Sequence, residues 1–438
     1  LPPFYYSEVG TAKRLCDIYD GDSQITIFDD SMFDRIRRRT NIDYDENQIE
    51  AIRTALSSKV MLLTGGPGTG KTTTTLGIIM AFRERGAHIL LAAPTGRAAK
   101  RLSEATGMEA KTIHRLLEAK PPEGYERNTE NPLVGDVLIV DECSMIDIML
   151  MYNLLKAVPD TMTLILVGDV DQLPSVGAGN VLRDIIDSGC FPVVRLTKIF
   201  RQAQKSRIIM NAHRINRGQM PDLSNGRDTD FFFMPEEETE KIPDTIVDLV
   251  KNRLPAHYGL SYSNIQVLTP MQRGPIGAAN LNLVLQEALN SEGEGLRRGG
   301  YVFRANDKVM QIRNDYDKEV FNGDIGTVMH IDLEDRTLTV DYDGRLVAYD
   351  VTELDEIVLA YATTIHKSQG SEYPIVIMPI AMSHFVMLER NLVYTGVTRA
   401  KQVLIIIGTK KALAYAIHNV TVKRRNTLLK RRLQRSMK

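Results

Sequence analysis

Eight consecutive residues, Gly65-Gly-Pro-Gly-Thr-Gly-Lys-Thr72, have the spacing G-x-x-x-x-G-K-[ST], directly after an apolar run and before a helical one. That spacing suits a chain of phosphates. Gly65, Gly66, Gly68 and Gly70, with Pro67 and Thr69 between them, let backbone N–H groups wrap an anion, and the following helix adds positive potential at its N-terminus. Lys71 reaches terminal phosphates, Thr72 offers a hydroxyl to Mg²⁺, and Thr73 continues the helix start beside them. The ligand expected from this loop is ATP with Mg²⁺.

Further along, Asp141-Glu142 follows the apolar run Val137-Leu-Ile-Val140. Asp141 is placed to hold Mg²⁺ and Glu142 to orient or deprotonate an attacking water. Gly168-Asp-Val-Asp-Gln-Leu-Pro174 ends another apolar run; the amide of Gln172 can donate to a γ-phosphate and accept from the water. Gln48 could read an adenine edge with the same amide chemistry. Transfer of a phosphoryl group also needs positive charge in the transition state. Arg201, in Ile199-Phe-Arg-Gln202, and Arg399, in Tyr394-Thr-Gly-Val-Thr-Arg-Ala-Lys401, are the candidates. With 54 Lys and Arg in the chain, surface salt-bridging stays open for both.

Positioning these groups takes an α/β scaffold. Val60–Leu63, His88–Ala92, Val137–Val140 and Thr163–Val167 read as buried strands alternating with helices, and each ends in polar or glycine-rich residues, where ligands sit in doubly wound sheets. A second set contains Ile265–Leu268, Ile375–Met378 and Val403–Ile407, with a helix over Ala278–Leu289. The expected organisation is a helical segment 1–44, a first domain 45–205 with a hairpin excursion at about 118–134, and a second domain 206–322 plus 352–420. Inside the second lies a β insertion 323–351, where apolar and polar residues alternate with turns at Glu334-Asp335 and Asp343-Gly344. A basic tail, 421–438, closes the chain.

Composition narrows the class. The 438 residues suit several domains, and 43% hydrophobic with 25% charged residues is ordinary globular chemistry. No apolar run is long enough to span a bilayer, and LPPFYYSEVG is not a signal sequence. Cys16, Cys143 and Cys190 stand far apart, fitting neither a disulfide framework nor a zinc site, so a reducing cytoplasm is expected. A start at Leu1 rather than Met suggests a fragment of something longer. The net charge of −1 requires that any nucleic-acid site focus its charge locally. The tail VKRRNTLLKRRLQRSMK, which has no acidic residue, reads equally as a phosphate contact and as a solvated helix.

The ordered series GGPGTGKT, APTGRAAKRL, TIHRL, DECSM, GDVDQLPSVGAG, FRQ, ATTIHKSQGSEY and LVYTGVTRAK resembles the motif set of superfamily 1 helicases. GDVDQLPSVGAG, LTPMQRGPIGAANLNLVLQ and the meander after FNGDIGTV are similar to the RecD type, more narrowly to stand-alone RecD-like helicases of superfamily 1B. The resemblance, over about residues 45–408, implies two RecA-like P-loop NTPase motor domains, an SH3-like insertion and a short duplex-splitting pin near 120–132. It assigns Gln48, Gly65–Thr72, Asp141, Glu142, Gln172, Arg201 and Arg399 to nucleotide chemistry. It also implies single-stranded DNA as track, 5′→3′ translocation and unwinding of duplex with a 5′ tail. The residues matching its DNA contacts are Pro94, Thr95, Arg97, Thr112 and His114, then Thr269, Arg273, Thr364, His366 and Asn391. Hydroxyls, amides and imidazoles of this kind hold backbone without reading sequence, and caps or satisfied turns are the alternative for each. The family's helix-hairpin-helix region would be represented only by a remnant at residues 1–34. Pif-type and conjugative helicases, an ATP-switched clamp that does not unwind, and an RNA track stay open.

Overall fold

The structure is a computed structural model that describes residues 2–22, 31–120, 124–420 and 425–437. The chain divides into two compact units, residues 1–204 with 422–438, and residues 205–421. Each is built on its own parallel sheet. In the first, six strands lie in the order Ala110–Thr112, Ile89–Ala93, Val137–Val140, Thr163–Gly168, Val60–Gly65, Val193–Leu196. In the second the order is Ala362–Thr364, Ile265–Thr269, Tyr373–Ile380, Ala400–Gly408, Phe231–Pro235. Helices cover both faces of such sheets, which is why Val137–Val140 and Thr163–Gly168 are buried at every residue and read as unbroken apolar runs.

Local chemistry sets the elements around the first sheet. Asp45 caps the helix Glu46–Ser57 in a reciprocal box: its carboxylate accepts from Gln48 N, and the Gln48 amide oxygen accepts from Asp45 N. Gly70 stands at φ 81° before the helix Lys71–Arg83. A Cβ there would lie 2.7 Å from both Gln48 Nε2 and Phe200 Cε2, so only glycine lets the chain turn this tightly. The expected excursion is a short hairpin, Ala119–Lys120 paired with Gly124–Tyr125; its residues 121–123 lie outside the described residues.

Two expectations need correction. The β insertion is wider than 323–351: its five-stranded antiparallel sheet runs Arg345–Asp350, Thr337–Tyr342, Ile325–Asp332, Lys308–Gln311, Ile357–Leu359. A three-stranded meander would leave one edge and the apolar side chains of Val328 and Val340 uncovered. Lys308–Gln311 pairs with that edge, and Val309, Ile357 and Leu359 join the same core. The C-terminal stretch, in turn, reads from sequence equally as a phosphate contact and as a solvated helix, and the structure does not bear out full solvation. Its helix Leu429–Ser436 buries Leu429 and Leu433 completely in the first unit's core, against the helices Pro2–Asp20 and Val181–Ser188. Lys430, Arg431 and Arg435 are exposed on the other side of this strongly amphipathic helix, which is why composition alone leaves solvation open. The N-terminal helix Pro2–Asp20 packs on Ile148–Ala157.

Candidate functional site

Parallel pairing brings the carboxyl ends of the first unit's strands onto one edge, with Thr64 level with Gly168, Val140 with Leu166, Ala92 with Val140, and Ala93 with Thr112. Read across that edge, the chain delivers Gly65–Thr72, then Asp169–Gln172, Asp141–Glu142, Pro94–Arg97 and Thr112–His114. Residues 100 positions apart thus become neighbours because the strands do.

The phosphate loop is held from within and from behind. Lys71 Nζ donates to Gly65 O across the loop at 2.5 Å, and Thr69 Oγ1 donates to Gly66 O at 2.7 Å. Thr72 is exposed at the helix start, and Thr73 half-buried. Gln48 is buried and its Nε2 lies 3.5 Å from Gly70 O, so its amide braces the loop at one end and the helix cap at the other. Phe200 N donates to Gly68 O at 3.2 Å, which brings Ile199–Gln202 against the loop and leaves Arg201 exposed beside it. This arrangement can wrap an anion chain with backbone N–H groups and place one ammonium and one guanidinium at it.

At the neighbouring strand end, crowding by protein atoms and then the charge of Glu142 push the Asp141 carboxyl up to about 6, against the opposing pull of Arg101 and Lys71. Arg101 and Lys71 do not fully offset this crowding, and a divalent ion beside the exposed Thr72 hydroxyl would supply further positive charge. Glu142 takes a left-handed φ of 53° and is ion-paired with Arg101, from the helix Gly96–Thr106. Arg101 escaped the sequence reading; its only signal is its place one turn after Arg97 in APTGRAAKRL. Gln172 is buried, with Nε2 donating to Asp169 Oδ2 at 3.3 Å.

The remaining candidates divide by what their side chains already do. Thr95 Oγ1 accepts from Ala98 N at 3.3 Å and Thr112 Oγ1 from Arg115 N at 3.1 Å, so both cap helices at the edge. Pro94 and Arg97 are half-buried next to Thr95. His114, whose pKa burial lowers, lies 6.1 Å from the Tyr125 ring of the hairpin. In the second unit the strands Ala362–Thr364 and Ile265–Thr269 pair with Thr269 level with Thr364. Thr364 Oγ1 accepts from Lys367 N at 3.3 Å, and His366 is half-buried just after it. Thr269 is fully buried and donates to Ile276 O at 2.7 Å, so its side chain pins the loop that carries the exposed Arg273. Asn391 is half-buried in the first turn of the helix Arg390–Val397. Arg399 is buried as well, donating to Ser371 O at 3.0 Å and Thr395 O at 3.2 Å.

A phosphate loop, a carboxylate pair and a glutamine on the edge of one parallel α/β sheet, followed by a second such sheet without the loop, give the chain the two-unit fold of the P-loop helicase class. Three family profiles agree: an AAA domain over residues 48–178, an ATP-dependent RecD-like DNA helicase SH3 domain over 281–342, and a UvrD-like helicase C-terminal domain over 359–407. The chain is 38% identical over 386 residues to the ATP-dependent RecD2 DNA helicase of Deinococcus radiodurans, covering 88% of this chain and 52% of that protein. It is 33% identical over 425 residues to the RecBCD enzyme subunit RecD of Mycolicibacterium smegmatis, covering 89% and 75%. The fold is that of Pif1 helicase from Candida albicans, with a TM-score of 0.51 at 19% identity over 87% of this chain and 98% of that one. The chain belongs to the RecD family of helicases, and it spans about half the length of the Deinococcus relative.

Proposed function

We propose that this chain is an ATP-hydrolysing motor that moves 5′→3′ on single-stranded DNA and unwinds duplex carrying a 5′ tail. The observation that carries this reading is the single edge of the first sheet. Gly65–Thr72, Gln172 and Asp141–Glu142 occupy one part of it, and Pro94–Arg97 with Thr112–His114 the adjoining part. The helix Gly96–Thr106 joins the two, since it starts at the track candidates and its Arg101 grips Glu142. Force on the track and the state of the water-activating carboxylate are then mechanically linked.

In this reading Lys71 and the loop N–H groups hold the β- and γ-phosphates, Gln172 faces the γ-phosphate, and Glu142 orients the water. Thr72 and Asp141 would hold Mg²⁺, which neutralises phosphate charge when bound. Arg201 stands at the loop in the same unit and adds charge in the transition state. Arg399 acts as the second finger, from the second unit. Arg399→Ala is then expected to slow DNA-stimulated hydrolysis about 10³-fold; a near-wild-type rate would return Arg399 to its role of pinning Ser371. The wide spacing of Cys16, Cys143 and Cys190 in the sequence supports a reducing cytoplasm as the place of work. Among the described residues no helix is long and apolar enough to cross a membrane.

The family relationship favours helicase over clamp, because the relatives named above are a DNA helicase and a RecBCD subunit. Strand displacement on forked substrates tests it. Duplex with a 5′ tail should be unwound with ATP, duplex with only a 3′ tail should not, and Lys71→Ala should unwind neither while still binding single strands. Unwinding from the 3′ tail would overturn the polarity, and ATP turnover without displacement would favour the clamp.

A further inference from the structure

Two residues past Gln172, at Pro174, begins a loop whose carbonyl groups turn inward to one side chain from the far end of the chain. Arg425 Nη1 donates to Gly177 O at 2.5 Å and Gly179 O at 2.7 Å, with Ser175 Oγ at 3.4 Å, and Nη2 donates to Ser175 O at 2.6 Å. A planar guanidinium holds its donors in a rigid fork, so Nη1 and Nη2 reach separate carbonyls at once, whereas an ammonium offers its three donors from a single point. The loop's opposite face is closed as well. Ile148 N donates to Ala178 O at 2.9 Å, and a Cβ on Gly177 would lie 2.2 Å from the Asp147 carboxylate.

Arg425 is itself anchored. Thr427 Oγ1 donates to Asp184 Oδ2 at 2.7 Å, Leu428 N to Glu8 Oε1 at 3.1 Å, and Arg432 pairs with Glu8 at 3.3 Å. Leu429 and Leu433 fix the helix behind them in the core. At the loop's other end, Gln172 N donates to Asp169 O, and Arg183 Nη2 to Val170 O. Only the buried Leu173 and the φ-restricted Pro174 separate Gln172 from Ser175, so a displacement of Ser175 is passed on with little slack.

We propose that Arg425 is a positioning residue for ATP hydrolysis: through the Ser175–Gly179 loop, the C-terminal segment sets the placement of the Gln172 amide. The chain reaches this clamp only after the whole of the second unit, so a segment that follows the second unit in sequence completes the Gln172 side of the first. The proposal rests on the reading of Gln172 as the γ-phosphate-facing amide.

The test is steady-state ATP hydrolysis with single-stranded DNA, on the full chain, for wild type, Gln172→Ala, Arg425→Ala and Arg425→Lys. Misplacement of about 1 Å at a reacting centre costs up to about 10²-fold, so Arg425→Ala should lower kcat at least about tenfold while KM for ATP stays within about twofold. Millimolar guanidinium should restore part of kcat to Arg425→Ala and none to Gln172→Ala, whereas sodium chloride restores neither. Arg425→Lys, which keeps the charge but loses the fork, should fold with wild-type Tm and still show a reduced kcat. A lower Tm with unchanged kcat would show that Arg425 serves stability alone, and a lowered kcat that guanidinium leaves unrestored would overturn placement of Gln172 by the guanidinium fork. If Arg425→Ala does not fold, wild-type kcat in Arg425→Lys has the same meaning. Should Gln172→Ala itself hydrolyse ATP normally, the sensor reading falls and this proposal falls with it; a slow Gln172→Ala beside a fast Arg425→Ala overturns the proposal alone.

Discussion

Asp141 and Asp307 are both crowded by protein, yet they are built for opposite ends. Asp141 stands at a strand end with one backbone donor, Glu142 N at 2.8 Å, and with Glu142's charge beside it. Asp307, fully buried in the second unit, accepts from Gln286 Nε2 at 2.6 Å, Asn290 Nδ2 at 2.8 Å, Tyr361 OH at 2.8 Å and Arg304 N at 2.7 Å. Next to it, Lys308 Nζ donates to Ile265 O at 3.0 Å. Three of the four donors come from the helix Ala278–Leu289, the residue after it and the approach to the strand Ala362–Thr364, and the fourth from the nearby Arg304, so Asp307 ties the five-stranded insertion to its host sheet. Asp141 has a single backbone donor and a like charge beside it, whereas Asp307 has four donors that offset much of its burial, although burial still raises its pKa. Satisfaction, more than burial, separates a reactive carboxylate from a structural one.

Replacing Asp141 should give the largest effect and split function from stability. Asp141→Asn removes the charge proposed to hold Mg²⁺, so on that reading hydrolysis should fall about 10²–10³-fold. Stability should move the other way. The folded-state pKa is raised to about 6 from 3.8, so the folded protein holds this proton while the unfolded chain gives it up. The cost of the ionised group is therefore absent at low pH and fully present above the folded pKa. In nucleotide-free protein, Asp141→Asn should raise Tm by about 2–4 °C at pH 8, and by less at pH 5. Calorimetry at the two pH values checks this, and a Tm loss at pH 8 would mean that Asp141 is satisfied after all.

Asp307 should behave in the reverse sense. Asp307→Ala leaves four buried donors without their acceptor and should cost about 3 kcal/mol or more. Denaturant unfolding should show that loss, while kcat and KM for ATP in the protein that remains folded stay close to wild type. A matching fall in kcat would place the insertion's mount within the hydrolytic cycle and break the contrast.

The sequence exposes the nucleotide edge so readily because its chemistry is local. Gly65–Thr72 needs a strand before it and a helix after it, and both are written in adjacent residues. Asp141-Glu142 and Gln172 follow strands that are apolar throughout, and the meander shows its alternation. What stays hidden depends on contacts between distant segments. Lys308–Gln311 is buried at every residue, so it has no alternation to mark it as part of the insertion. Arg425 and Arg101 are two among many arginines until the fold shows Ser175 and Glu142 facing them. Thr269 has the right type for a backbone contact, yet packing commits its hydroxyl to Ile276. Gln48, plain in a helix, is a brace because Gly70 has no side chain to keep it away.

Thr95 carries the smallest effect and sharpens the comparison furthest, since its hydroxyl already has a structural task and the family resemblance gives it a second. Thr95→Ala should lose about 1 kcal/mol through the missing cap whichever reading holds. Thr95→Asp separates them. Aspartate is as good a cap, and its charge suits a helix N-terminus, so Tm should hold or rise slightly. The same charge repels phosphate, so affinity for single-stranded DNA should drop about tenfold, most steeply at low salt. Fluorescence anisotropy with a labelled oligonucleotide measures it. Unchanged affinity with an unchanged Tm would make Thr95 a cap alone, and the track would then have to be held on this edge by Arg97 and by backbone N–H groups at the same helix start.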